Sequence, residues 1–361
     1  MKKILILSGI NWNDTLQRHQ RIAKFLANNN YQVYFIENII SSKFTIKKAW
    51  NKIFYKRSNI NIQNEVFKNI KIYNKKFLNP HGIFKPYNHI QVKKLLNEIG
   101  IEFDVIINYL PIETTNYILK KCKYRILIYD CVRDFQNWGG YPKNIQKYEK
   151  ILLKEVNWIL VDSYYLKNKI AQKSNKNIIQ ILPTIDLQEY KIYKKIYDRK
   201  IDKIKKLTYF GTIGEHIDIE LLNYLTKYFK INIIGKIDSN IKISDKIKIY
   251  KFENNLTKLA EKIINISDAL IIPYKGNMDG VIPAKLMQSL ATGLPVFVSK
   301  FYDSISLNDK VYIFENKENL KEIIKKFNYE EFIQRKKIYE NFIKANIEEN
   351  SFEILNKKLF L

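Results

Sequence analysis

Short apolar runs alternate along the chain with longer stretches whose apolar residues recur every three or four positions. In the first half the runs are "KILIL" (3–7), "YQVYFIE" (31–37), "DVIINY" (104–109), "YRILIYD" (124–130), "WILVDS" (158–163) and "IIQILP" (178–183). Nearly continuous runs of this length predict strands buried on both faces, as in a parallel sheet. Most are separated by helical periodicity, first over Thr15 to Asn29. After "ILPTIDLQEY" (181–190), a Tyr/Lys-rich stretch over 190–206 reads as a linker or a loose helix. The alternation then restarts. It runs through "LTYFG" (207–211), a helix over Ile217–Phe229, "INIIG" (231–235), "KIKIY" (246–250), a helix over Leu256–Ile264, "DALIIPY" (268–274), "PVFVS" (295–299) and "VYIFE" (311–315). The pattern predicts an α/β protein with two Rossmann-like, doubly wound domains, 1–185 and 186–330. Helices over 331–361 follow, free to pack back on the first domain.

Doubly wound sheets bind ligands beyond the carboxyl ends of their strands, near the point where strand order reverses. Two such domains in series make the space between them the expected site. The loops to search are 8–14, 130–140, 211–215, 235–238 and 275–282. The last leads into "DGVIPAKLMQSLATGLPV" (279–296). Pro283 suits the first turn of a helix. Leu286 with Leu290, and Met287 with Ala291, form an apolar stripe, and Lys285 shares a face with Gln288 and Ser289. Gly293 and Pro295 stop the helix. The amides of Gly280, Val281 and Ile282 would then stand free ahead of a positive helix end, with Lys285 adding a full charge, an arrangement that attracts an anion. Read by itself, the same stretch is better taken as an ordinary strand–loop–helix–strand unit with a solvated lysine.

Composition narrows the class. The chain has 361 residues, enough for two domains with proper cores, and 46% of them are hydrophobic, which excludes a disordered chain. Two cysteines, Cys122 and Cys131, and four histidines, His19, His81, His89 and His216, show no metal-ligand spacing. No Ser/His/Asp arrangement is visible in linear order. The opening "MKKILILSGINWND" reads as a first strand, and no run approaches the ~20 apolar residues that span a bilayer. The expected location is the cytoplasm.

The net charge is +26, and residues 1–182 carry 31 basic against 12 acidic residues, a net of +19. Such asymmetry suggests an anionic partner. Lys43–Arg57, "KFTIKKAWNKIFYKR", and "NKKFLNPHGIFKPYNH" (74–89) interleave basic and aromatic residues, as a bilayer interface favours. The first domain is therefore expected to dock on an anionic inner membrane surface. A solvated surface in a lysine-rich chain is the competing reading. Nucleic acid is a rival partner by charge, but no helix-turn-helix, zinc-finger or RNP pattern is present.

Several motifs resemble a known family. "YFGTIGEHIDIELL", "SDALIIPYKGN" and "IPAKLMQSLATGLPV" resemble the C-terminal half of GT-B glycosyltransferases of the large bacterial family 4 (group 1). "ILPTIDLQEY" is similar to that group's domain junction. "QRHQRIAKFLANNNYQVYFIE" and "IYDCVRDF" resemble teichuronic-acid-type cell-surface transferases. The likeness is scattered from about residue 4 to about residue 300.

The resemblance implies a GT-B fold, with two Rossmann-like domains facing a central cleft. It implies transfer of a sugar from a nucleotide-diphosphate donor, UDP- or GDP-linked, to a cell-surface glycan or lipid-linked acceptor, retaining and without a metal or other cofactor. Donor contacts fall on Gly211, Thr212, His216, Lys236, Asn277, Gly280, Val281, Ile282, Lys285 and Gln288. Lys285 would meet phosphate. Gln288 stands where the group usually has a glutamate accepting from both ribose hydroxyls, and Gly280 falls where it has a further glutamate. A glutamine accepts through its carbonyl oxygen but lacks the charge, so an unusual donor or a decayed site is also open. His216 reads equally as a surface residue at a helix start, and Lys236 as an exposed loop lysine.

On the acceptor side stand Gly9, Asn11, Trp12 and Arg133. Asp130 and Asp134 are the candidate catalytic carboxylates, four residues apart and on one face if a short helix forms there. Trp138 and Tyr141 are candidates for stacking on a sugar. Alternatively, Asp130 caps a turn and Arg133 pairs with Asp134.

Overall fold

The computed structural model describes residues 1–13, 16–39, 68–137, 141, 144–196, 200–237, 241–253 and 255–359. The segment Lys43–Arg57, Trp138 and the ends of the loops at 14 and 238 lie outside them. The chain divides into two compact units. The first comprises residues 1–162, 166–181 and 355–361, and the second residues 163–165 and 182–354.

The first unit is built on a seven-stranded sheet of β1 (Lys3–Leu7), β2 (Gln32–Glu37), β3 (Ile70–Asn74), β4 (Glu102–Asn108), β5 (Lys123–Cys131), β6 (Trp158–Val161) and β7 (Asn177–Gln180). Spatial order is β3-β2-β1-β4-β5-β6-β7, and every pairing is parallel. Helices α1 (Arg18–Asn28), α2 (Lys85–Ile99), α3 (Glu113–Lys121), α4 (Ile145–Glu155) and α5 (Tyr164–Ala171) alternate with the strands. Ile4 to Leu7 of β1 are fully buried, as a central strand covered on both faces requires. In α1 the buried Ile22, Ala23, Leu26 and Ala27 form the core-facing stripe. Its first turn is at Arg18, three residues later than the periodicity suggests. Strand order reverses between β1 and β4, so their carboxyl ends form the switch point of this unit.

The second unit carries a six-stranded sheet of β8 (Lys206–Phe210), β9 (Lys230–Ile234), β10 (Lys248–Tyr250), β11 (Ala269–Ile272), β12 (Val296–Ser299) and β13 (Tyr312–Phe314), in the order β10-β9-β8-β11-β12-β13. It is parallel throughout, with its switch point between β8 and β11. Helix α6 (Leu187–Ile196) occupies the first part of the stretch read as linker or loose helix, with Tyr190 and Tyr193 buried one turn apart. Then come α7 (Ile219–Leu225), α8 (Leu256–Ile266), α9 (Ala284–Ala291), α10 (Tyr302–Ile305), α11 (Lys317–Lys325), α12 (Tyr329–Ala345) and α13 (Glu348–Leu359). Asn255 caps α8 by accepting the Lys258 amide at 3.0 Å. Helix α13 begins with the second unit and ends with the first.

No helix among the described residues is long and apolar enough to cross a membrane. Within the basic–aromatic stretch 74–89 the aromatic groups are partly spent on the interior. Phe77 is buried, and His81 lies buried with Nδ1 2.6 Å from Thr114 Oγ1. Ile83 projects outward, 72% exposed.

Burial separates central from edge positions sharply enough to test. Ile6→Ala in β1 should cost about 2–5 kcal/mol through lost burial and the cavity left behind. Ile249→Ala in the edge strand β10, where the side chain is half exposed, should stay within about 0.5 kcal/mol. Denaturant titrations of the two variants check the contrast.

Candidate functional site

The carboxyl end of β8 is closed by backbone. Gly211 takes φ +123°, a conformation that favours glycine, and donates its amide to Ile234 O at 2.9 Å. Gly235, directly after β9, packs so closely that a Cβ there would fall inside the Gly211 carbonyl. The two loops therefore meet backbone to backbone, and Ile213 N adds a bond to Lys236 O at 2.8 Å. Lys285, on the first turn of α9, reaches into this junction. Its Nζ lies 4.3 Å from the centroid of the Tyr209 ring and donates to the Tyr209 hydroxyl. That hydroxyl in turn donates to Thr212 O at 3.0 Å. The Tyr274 ring stands 6.0 Å from Nζ. Burial lowers the Lys285 pKa to about 8 and raises those of Tyr209 and Tyr274. Among the described residues no carboxylate comes within ion-pair distance of Lys285.

The loop ahead of α9 corrects one expectation. The amides of Gly280 and Val281 are not free, because the first donates to Asp303 Oδ2 at 2.9 Å and the second to Met278 O at 3.1 Å. Asp303 is fully buried and also accepts the amides of Tyr164 and Tyr165, at 2.7 and 3.1 Å. Its pKa is nonetheless raised, because burial outweighs those bonds. Gly280 sits at φ +82°, so the sharp turn that Asp303 pins favours glycine. Asn277 shapes the same turn by accepting the Asp279 amide at 3.0 Å. Pro283 is the residue before the helix, with ψ 129°, and α9 begins at Ala284. Leu286, in the first turn of α9, donates its amide to Pro283 O at 2.9 Å, so among the described residues the amides open to an anion are those of Ile282, Ala284 and Lys285. One turn beyond Lys285, Gln288 Nε2 donates to the carboxylate of Glu189 on α6. His216 is exposed with its ring edge-on to Tyr274, centroids 5.3 Å apart, and Thr212 and Lys236 are exposed beside it.

In the first unit the strand ends around β1 and β4 gather charge that the linear sequence hides. Arg18 Nε donates to both oxygens of Asp130, at 2.8 and 3.1 Å, and Nη1 donates to Ile181 O at 2.7 Å. His19 is stacked on Tyr109, centroids 3.6 Å apart, with Nδ1 2.8 Å from Ser8 Oγ. Burial first, then the positive charges of Arg18 and Arg133, push the His19 pKa down to about 3, so the ring stays neutral near pH 7. Gly9 lies against Leu110. Asn11 Oδ1 accepts the Asn13 amide at 2.8 Å, and Trp12 is tied through its amide to Glu37 Oε2 at 2.6 Å, its ring edge-on to Phe35.

The two candidate carboxylates do not share a helix face. Asp130 belongs to β5, fully buried against Arg18, whereas Asp134 lies in the following turn and binds Lys169 Nζ at 2.5 Å and Asn137 Nδ2 at 2.9 Å. No helix forms there because the strand continues to Cys131. Sequence reasoning named Gly211, Thr212, His216 and Lys285, which the structure brings together near the carboxyl end of β8, and Gln288, which it sets against Glu189. It missed Ser8, Arg18, His19, Tyr209, Tyr274, Glu189 and Asp303. Their signal was position alone, at strand carboxyl ends or just after them.

Gly235→Ala should force the Gly211 carbonyl aside and cost about 1–3 kcal/mol, because the obstructing atoms are backbone and cannot rotate away. Ala substitution at Gly82, where the nearest atom to an added Cβ is 3.6 Å away, should be nearly neutral. Thermal melts of the two variants make the comparison.

No protein-family model and no curated protein matches the chain. Solved structures do. Sucrose-phosphate synthase from Thermosynechococcus elongatus superposes with a TM-score of 0.69 at 11% identity, covering 100% of this chain and 99% of that one. The apo form of the lipopolysaccharide outer core galactosyltransferase WaaB gives 0.64 at 14% identity, with 99% of each chain covered. Anabaena HepE in complex with UDP and glucose gives 0.58 at 11% identity, covering 99% and 96%. At such identities the likeness concerns architecture. The two parallel sheets, each wound in Rossmann-like fashion, are those of the GT-B fold.

Proposed function

We propose that this chain is a glycosyltransferase that moves a hexosyl group from a nucleoside-diphosphate donor held by the second unit to a hydroxyl group of a glycan or lipid-linked acceptor. The observation that carries the reading is Lys285, an ammonium group packed on Tyr209 with no carboxylate partner among the described residues, at the positive end of α9 and beside glycine backbone. A cation drawn partly out of water is costly unless something neutralises it, and a diphosphate is the anion that a helix start with an adjoining lysine suits. That a solved structure of the same fold is described in complex with UDP and glucose agrees with a nucleotide of this kind. UDP- and GDP-linked sugars are the donors we expect.

In this reading the bond between the anomeric carbon and the phosphate oxygen breaks while the acceptor oxygen forms its bond to the same carbon. The acceptor attacks on the face from which the phosphate departs and gives its proton to that phosphate, so the sugar keeps its configuration and no protein nucleophile takes part. Lys285 and the α9 amides hold the charge that develops on the diphosphate. Position 130 serves through its ion pair: Asp130 fixes Arg18 beside the neutral His19, which offers hydrogen bonds to an uncharged hydroxyl. Asp134 braces the turn that carries Arg133. Peripheral attachment to an anionic inner membrane surface, through the basic first half, is part of the same proposal.

A thermal-shift panel of UDP-, GDP-, ADP-, CDP- and dTDP-linked sugars tests the donor site. A matching ligand at 100 times its Kd should stabilise the protein by about 2.7 kcal/mol, and no shift from any of them would overturn the reading. Because Lys285 loses its charge as pH rises through about 8, affinity for the bound diphosphate should be level below pH 8. Above it, affinity should fall by up to about tenfold per pH unit. Lys285→Met should weaken binding roughly 10- to 100-fold and flatten that profile. Calorimetric titration at several pH values measures both effects.

A further inference from the structure

Gln288 lies one helical turn past Lys285 on α9, and the end of its amide facing α6 touches the buried carboxylate of Glu189. A carboxylate only accepts hydrogen bonds, so the group turned towards it must be the NH2. A glutamine facing solvent can rotate and show either end; this one cannot. Its carbonyl oxygen is the end left over, and Gln288 itself is only half-buried. We propose that Glu189 is a positioning residue of the donor site, locking the Gln288 amide so that position 288 presents an oxygen acceptor to the sugar hydroxyls of a ribonucleotide whose phosphates lie at Lys285. The inference rests on the donor site proposed above.

Spacing supports it. Residues three apart on a helix have side chains about 5–6 Å from each other on the same face, comparable to the distance from a phosphate to the ribose hydroxyls of the same nucleotide. The arrangement has a consequence for substitution. Gln288→Glu alone would set two carboxylates against each other, which repel unless one takes up a proton. Exchanging the two residues, Glu189→Gln with Gln288→Glu, would rebuild the same bond with donor and acceptor reversed and leave an oxygen facing outward.

The test is titration of the wild-type chain and variants with UDP, GDP and ADP and with their 2′-deoxy counterparts. Wild type should prefer the ribose form of its nucleotide by about five- to tenfold, the value of one hydrogen bond. Glu189→Ala should bring that ratio close to one by weakening the ribose form, leaving the deoxy form nearly unchanged. The double exchange should restore the ratio, and Gln288→Glu alone should not. An unchanged ratio in Glu189→Ala, no ribose preference in wild type, or a single Gln288→Glu that matches the double exchange would overturn the inference. Should Glu189→Ala fail to fold, the comparison of single and double exchange decides. Failure of wild type to bind any of these nucleotides would instead bring down the donor site itself, so the two failures are told apart.

Discussion

A lysine ammonium held over a tyrosine ring, with no carboxylate in reach among the described residues, is the constraint on which the second unit turns. Every neighbour is arranged to tolerate it. Tyr209 gives its hydroxyl oxygen and the negative face of its ring, and donates its own hydrogen bond to Thr212 O. Gly211 and Gly235 carry no side chains, so backbone closes the floor of the junction and leaves room for Nζ. The charge is satisfied only in part, which is why burial lowers the pKa to about 8. Such a site is poised for an anion, because the ligand supplies what the protein withholds.

The loop ahead of α9 shows how rigidity is obtained without spending the helix start. Asp303 gathers three backbone amides, including that of Gly280, and so fixes the turn from outside the proposed anion seat. The amides of Ala284 and Lys285 are left unspent by that turn, whereas Leu286 donates to Pro283 O. The first unit uses a comparable device at its own switch point, where Asp130 is consumed by Arg18 so that a cation and a neutral imidazole are held side by side. In both units a buried carboxylate acts by placing other groups.

The fold was legible because most strands announce themselves locally. Runs such as "ILIL" in β1 and "ALII" in β11 are apolar throughout since both faces are covered. β3 escaped notice for the opposite reason: an edge strand with only Ile70 buried mixes Lys, Tyr and Asn and lacks a continuous run. Helix α6 was read as a loose segment because Gln188, Glu189, Lys191, Lys194 and Lys195 break up its apolar positions, although Tyr190 and Tyr193 recur one turn apart and are buried.

The sequence by itself determined the order of strands and helices, the parallel sheets that follow from it, and the helix on which Lys285 and Gln288 share a face. These rest on periodicity and turn chemistry, which act between residues a few positions apart. Only the tertiary structure decided which polar groups are already engaged. Gly280 bonds to a residue 23 positions away, Gln288 to one 99 away and Arg18 to one 112 away. A hydrogen bond needs its partners within about 3 Å and correctly oriented. No local pattern encodes that meeting, because it exists only once the sheets have brought distant segments together.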